Sequence, residues 1–392
     1  MNKAYSIVWN SSRQAWVVAS ELARGHGFVL AKNTLLVLTV ASAVGNAFAQ
    51  DCKAGSQNAS NCVITAGSVV VGKTQYVYAQ GQTSNVIVNG KQVVSNGGKT
   101  SATTITSGGY QFVGTDGSAS ATVVSSGGKQ AISGGTATGT KLSGGAQNIS
   151  SGGKASATEV YAGGTQTIYL SGTATGTKLS GGTQNISSGG KASATEVFSG
   201  GKQNIYAEGH SENAIINDGG NQYIYNNGEA TGATVSAGGF QRVTSGGTAT
   251  GTKLSGGAQN ISSGGKASAT EVYAGGTQTI YLSGTATGTK LSGGTQNISS
   301  GGKASATEVF SGGKQNIYAE GHSENAIIND GGNQYIYNNG EATGATVSAG
   351  GFQRVTSGGT ATGTKLSGGT QNISSGGKAS ATEVFSGGKQ NI

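Results

Sequence analysis

Gly145-Ala146-Gln147-Asn148-Ile149-Ser150-Ser151-Gly152-Gly153-Lys154-Ala155-Ser156-Ala157-Thr158-Glu159-Val160-Tyr161-Ala162-Gly163 is the stretch that decides the fold. It reads GG-x-Q-x-[IV]-x-x-GG-x-A-x-x-T-x-[VLI]-x-x-GG. Its glutamine recurs eighteen times from Gln75, Gln92 and Gln111 to Gln390, at steps of 17, 18 or 19 residues. A fixed period of that size is the mark of a solenoid.

Each unit holds two short runs of period two. Gln147 and Ile149 share one face, and so do Thr158 and Val160, with Glu159 on the other. Strands of three to five residues fit these runs. Helices do not, because glycine recurs every eight to eleven residues and 3.6-residue spacing is missing. The Gly-Gly pairs supply corners where a positive φ costs nothing. One coil alone leaves its Ile and Val open above and below; stacking coil on coil buries them and pairs every backbone N–H and C=O. The expected fold is therefore all-β, a parallel β-helix of about 18 rungs, roughly 85 Å long at the inter-strand spacing of ~4.8 Å. The apolar core is thin, so backbone ladders and stacked Gln or Thr side chains must carry much of the cohesion. Handedness does not follow from the pattern.

The chain has 392 residues with 73 Gly, no Pro and 10% charged residues. Gly at this level without a G-X-Y period excludes collagen. Regularly placed Ile, Val, Tyr and Phe argue against disorder, and the lack of Pro suits a continuous ladder. Of the net charge of +8, the first 49 residues hold four basic groups and one acid, and the remaining +5 is spread along the repeats without a basic block, so a nucleic-acid partner is not expected.

Residues 1–49 have the plan of a long signal peptide. A charged front ends at Lys32, an apolar run spans Leu35 to Val44, and Ala47-Phe48-Ala49 sets a cleavage site between Ala49 and Gln50. The apolar run is short for a transmembrane helix. Residues 50–74 form an N-terminal cap in this reading. Their Cys52 and Cys62 are the chain's two cysteines, and in an exported protein a disulfide between them is expected. A free thiol pair and a metal site are the alternatives, and no His or further Cys stands near to support a metal. Residues 75–392 are the repeat region. Within it Gly134–Ser245 and Gly246–Ser357 are identical over 112 residues, or six rungs.

The leader Met1-Asn2-Lys3-Ala4-Tyr5-Ser6-Ile7-Val8-Trp9-Asn10, continuing through Trp16-Val17-Val18-Ala19-Ser20-Glu21-Leu22-Ala23-Arg24-Gly25, resembles the extended signal peptide of type V autotransporters. With the GG-x-Q repeats, the whole chain resembles the AIDA-type (AIDA/TibA-like) autotransporter adhesins. The resemblance implies export by the Sec translocon through the periplasm to the outer-membrane surface. It further implies a non-enzymatic passenger that adheres to a host-cell receptor and to like passengers on neighbouring bacteria, or one whose main task is aggregation and biofilm. Such a protein continues into a C-terminal β-barrel, which has no counterpart before Ile392, so the chain reads as a passenger fragment whose own surface display is in doubt. The resemblance also implies heptose on repeat serines, added by a cytoplasmic heptosyltransferase. The candidates are Ser150, Ser151, Ser187 and Ser188 with their copies Ser262, Ser263, Ser299 and Ser300, each read as lying beside a Gly-Gly corner that faces solvent.

Catalysis and cofactors are not expected. His210, Glu212 and Asp218 lie within nine residues and make the one carboxylate–histidine cluster to test for a polysaccharide-degrading passenger, but a smooth rod offers little of the concave cover that acid/base chemistry needs. Calcium-binding rolls carry an Asp in each G-G-x-G-x-D turn, and here Lys, Thr, Ala, Asn, Tyr or Phe follows Gly-Gly. The Asn-Ile-Ser triplets match the N-glycosylation pattern as an accident of the repeat.

Overall fold

The computed structural model describes residues 5–10, 15–20, 50, 51, 58–60 and 62–392, with side chains at 59, 60 and 62–392. Two compact units divide at Phe48 and Ala49. In the first, Tyr5–Asn10 pairs antiparallel with Ala15–Ser20. The second is a parallel β-solenoid, and its described residues contain no helix.

Each rung has three strands where two runs were read. In the quoted unit these are Ala146–Ser150, Lys154–Ser156 and Glu159–Tyr161. The middle strand was missed because Lys-Ala-Ser is too short and too small to show an apolar alternation, although Ala155 is its inward residue, 4% exposed. The three strands build three parallel sheets, here called the glutamine, alanine and valine sheets. Register is kept by residue type: Gln147 lies between Gln130 and Gln166, Ala155 between Ala137 and Ala174, and Val160 between Leu142 and Leu179. This stacking continues unbroken from Gln75 to Gln390.

The corners explain the glycine pairs. Gly152 has φ +75°, a left-handed conformation with open space around it, so only chirality favours glycine there. At Gly153 the reason is contact: a Cβ would lie 2.4 Å from the carbonyl oxygen of Ile132 in the rung before.

The interior is layered. Ile149 and Ala155 belong to one apolar column, Leu142 and Val160 to another. Between them runs a column of glutamines, buried from Gln75 to Gln371, in which each Nε2 donates to the Oε1 of the glutamine one rung earlier, at 2.6–2.8 Å, from Gln92 on Gln75 to Gln390 on Gln371. Threonines just before the third strand complete the column: Thr158 Oγ1 donates to Gln147 Oε1 at 3.3 Å and Thr177 Oγ1 to Gln166 Oε1 at 3.1 Å. A buried amide without partners is costly; stacking at one rung per repeat removes that cost along the whole rod.

The described residues between 50 and 74 join the same sheets. Gln50 and Asp51 pair with Cys62 and Val63, Val63 with Gln82, and Gly67–Val69 with Val86–Val88. The 74/75 boundary is thus a change of sequence pattern with no break in the ladders. Cys62 is buried at 3% and disulfide-bonded; Cys52 and Ala49 lie outside the described residues.

Candidate binding faces

Alternation along each strand sends every second residue outward, so the three sheets present three flat outer faces. The valine face carries alternating charge: Lys141 meets Glu159 at 3.4 Å and Lys178 meets Glu196 at 4.0 Å. Tyr161 donates its hydroxyl to Glu159. That bond, ahead of the nearby Lys141, holds the Glu159 carboxyl below the ordinary carboxylate range and pushes the Tyr161 phenol up.

The alanine face bears rows of hydroxyls, with Thr138 and Ser156 Oγ atoms 3.1 Å apart, and shallow open hollows lined by Thr173, Thr175, Lys191, Ser193, His210 and Glu212. His210 Nδ1 lies 3.1 Å from Glu229, the residue one rung on, and His322 repeats this with Glu341 at 3.1 Å. Asp218 is elsewhere. It sits at the Gly219-Gly220 corner between Ile215–Ile216 of the valine sheet and Asn221–Ile224 of the glutamine sheet. The structure therefore separates the trio that proximity in sequence had grouped. Among the described residues, no cluster of three or more His, Cys, Asp or Glu side chains could hold a metal.

The candidate glycosylation serines split into two kinds. Ser151, Ser188, Ser263 and Ser300 are exposed at the corner, with φ between +48° and +49°. Ser150 is half-buried, and Ser187, Ser262 and Ser299 are buried at 9%, 1% and 9%. The solvent-facing corner expected for all eight is corrected for these buried ones. The reason is the column they occupy: Ser187 stands between Tyr169 and Tyr206, and Ser299 between Tyr281 and Tyr318, so a small side chain lies under larger ones from both sides. In the same column Tyr206 stacks on Tyr225, ring centroids 5.3 Å apart, as do Tyr318 and Tyr337. The signal for this burial in the sequence is a Tyr one period before and one period after Ser187 and Ser299.

Outward residues of the glutamine face are chiefly Asn and Thr, with Asn204 Nδ2 donating to Asn185 Oδ1 at 2.9 Å. Three flat faces repeated down a rod resemble a stalk. Comparison with known proteins agrees. A family model described as the extended signal peptide of the type V secretion system matches residues 1–50. One described as an adhesin of the bacterial autotransporter system, probable stalk, matches residues 205–257 and 294–351. The autotransporter adhesin AIDA-I of Escherichia coli is 65% identical over 79 residues, which are 20% of this chain and 6% of that protein. The crystal structure of a TibC-catalysed hyper-glycosylated TibA fragment is 32% identical, with a TM-score of 0.49, over 84% of this chain and 99% of that fragment.

The chain belongs to the AIDA-type autotransporter adhesins. Its leader and stalk repeats are those of a passenger exported by the type V route to the outer-membrane surface. The match spans a small share of the curated AIDA-type relative, so the activities of the whole protein are taken up below as proposals.

Proposed function

We infer that this AIDA-type passenger is a non-enzymatic adhesive rod that attaches bacteria to host-cell receptors and to one another. The observation that carries this reading is the duplication: two identical 112-residue copies display the same faces six rungs apart on one rigid axis. Weak contacts repeated at fixed spacing multiply into avidity. In this reading the Sec translocon exports the chain, and a cytoplasmic heptosyltransferase modifies exposed corner serines first, Ser151, Ser188, Ser263 and Ser300. A reading as an aggregation and biofilm factor differs only in the partner met.

Beads coated with the chain from residue 50 onward test this directly. Adhesion predicts that they bind epithelial cells and clump with one another, while uncoated beads do neither. Clumping without cell binding would favour the aggregation reading, and inert beads would remove both. Replacing His210, Glu212 and Asp218 and their second copies should leave bead binding unchanged.

A further inference from the structure

The outer face of the glutamine sheet is lined by the residues immediately before and after each anchor glutamine. From Thr74 to Asn391 those two columns contain seven Lys or Arg and no Asp or Glu. The carboxylates of the repeats lie on the other two faces or at corners, and so do the four ion pairs among the described residues. A chain of mixed charge thus has one face on which every charged residue is basic.

Six of the seven basic residues fall into three groups, and Lys389 lies two rungs past the last. Lys91 and Lys129 lie two rungs apart, with Tyr110 and Phe112 on the rung between. Six rungs further on, Lys202 and Arg242 are again two rungs apart, with Tyr223 between them and Phe240 beside Arg242. Lys314, Tyr335, Phe352 and Arg354 repeat the group after six more. The third group is a copy of the second by duplication. The first is not, since it lies in the divergent rungs before Gly134, yet it has the same make-up at the same interval. In all three the cations are exposed and the rings half-buried, and Lys91 Nζ stands 5.9 Å from the Tyr110 ring centre.

We propose that this face binds an extended acidic polysaccharide, one bearing carboxylate or sulfate groups at a regular interval. The two-rung step between paired cations is about 10 Å, roughly the length of an extended disaccharide. Arg and Lys supply charge-assisted hydrogen bonds to such anions. The half-exposed rings offer flat apolar surface with a negative face to the C–H side of a sugar. The Asn and Thr rows between groups offer amides and hydroxyls for sugar hydroxyls. Centres about 29 Å apart let one polymer engage all three, and the gain is avidity. A nucleic acid fits less well, because duplex DNA carries a charge every ~1.7 Å and the cations here are far sparser. This deepens the adhesion reading by naming a ligand class and a face.

The test uses the purified chain with heparin as the acidic polysaccharide, dextran as the neutral one and oligo(dT) as the nucleic acid. Heparin should bind with salt-sensitive affinity and dextran should not. The variant Lys202→Thr, Arg242→Asn, Lys314→Thr, Arg354→Asn uses residues that the same columns carry at other rungs, so it should fold and melt normally. Its heparin affinity should fall by about tenfold or more, as expected when two of three linked contacts are lost. Neutralising Lys141, Lys178, Lys253 and Lys290 to Gln on the valine face, an equal change in charge, should leave binding within about twofold. Equal losses in the two variants, tighter binding of oligo(dT) than of heparin, or no heparin binding would each overturn the proposal. The bead and heparin assays fail separately. Heparin binding by a chain whose beads adhere to nothing keeps this inference and removes adhesion; adhering beads with no heparin binding do the reverse.

Discussion

Gln203 shows what one residue contributes to the rod. Its Nε2 donates to Gln184, and its Oε1 accepts from Gln222 and from the Ser211 hydroxyl. Gln203→Leu fills similar space but orphans groups on both neighbouring rungs, at about 1–3 kcal/mol for each buried group left unpaired; the midpoint of urea unfolding should fall accordingly. The two glycines of one corner should behave differently. Gly152→Ala forces an L-residue into the left-handed region and should cost about 1–2 kcal/mol. Gly153→Ala must also push the Ile132 carbonyl away, so thermal unfolding should show the larger loss. The Tyr161–Glu159 bond sets a pH dependence of known sign. Because the Glu159 carboxyl is held below its ordinary range, its contribution is present at neutral pH and lost as pH falls through the lowered value. Because the Tyr161 phenol is raised, its contribution is present below the ordinary tyrosine range and lost as pH rises through the raised value. Tyr161→Phe should return Glu159 toward an ordinary carboxylate titration, read by NMR of the side-chain carboxyl carbon.

At the scale of the strand and its neighbours, columns decide more than position along the chain. Ser187 and Ser188 are adjacent and identical in type, yet one is 9% exposed and the other lies exposed at its corner. Glycosylation of the chain by a heptosyltransferase should therefore be found by peptide mass mapping at Ser151, Ser188, Ser263 and Ser300 when the folded protein is the acceptor. Modification spread evenly onto Ser187 and Ser299 would show that sugars are added before the rungs close. The N-terminal strands follow the same logic, since Gln50–Asp51 pairs with Cys62–Ile64 at the start of the alanine sheet. A Cys52–Cys62 disulfide would tie that first coil together, and the intact mass with and without reduction and alkylation tests the pairing.

For the whole molecule, stability in a solenoid is close to a sum of rungs and nearest-neighbour interfaces. Removing Gly246–Ser357 joins Ser245 to Gly358, the same junction that the second copy already makes with the first. The shortened chain should fold, keep its circular-dichroism signal per residue, and shorten by about 29 Å in small-angle scattering, six rungs at the strand spacing. Loss of folding would mean that the copies are not interchangeable and that long-range terms matter.

The period, the rung register and the corners were legible in the residues themselves, because in a stack each position meets its own kind one period later: Gln147 could face only Gln130 and Gln166. The alternation of Gln147 with Ile149 and of Thr158 with Val160 likewise showed which side was inward. The Lys154-Ala155-Ser156 strand was not legible, since one small inward residue gives no periodic signal. Nor were the separation of Asp218 from His210, the cover over Ser187, and the gathering of Lys202, Tyr223 and Arg242 on a face without acids. Those depend on how three strands close each rung, which sets the directions that coincide, and on which side chain lies one rung away. Sequence order carries the first kind of neighbour; only the closed, stacked rung supplies the second.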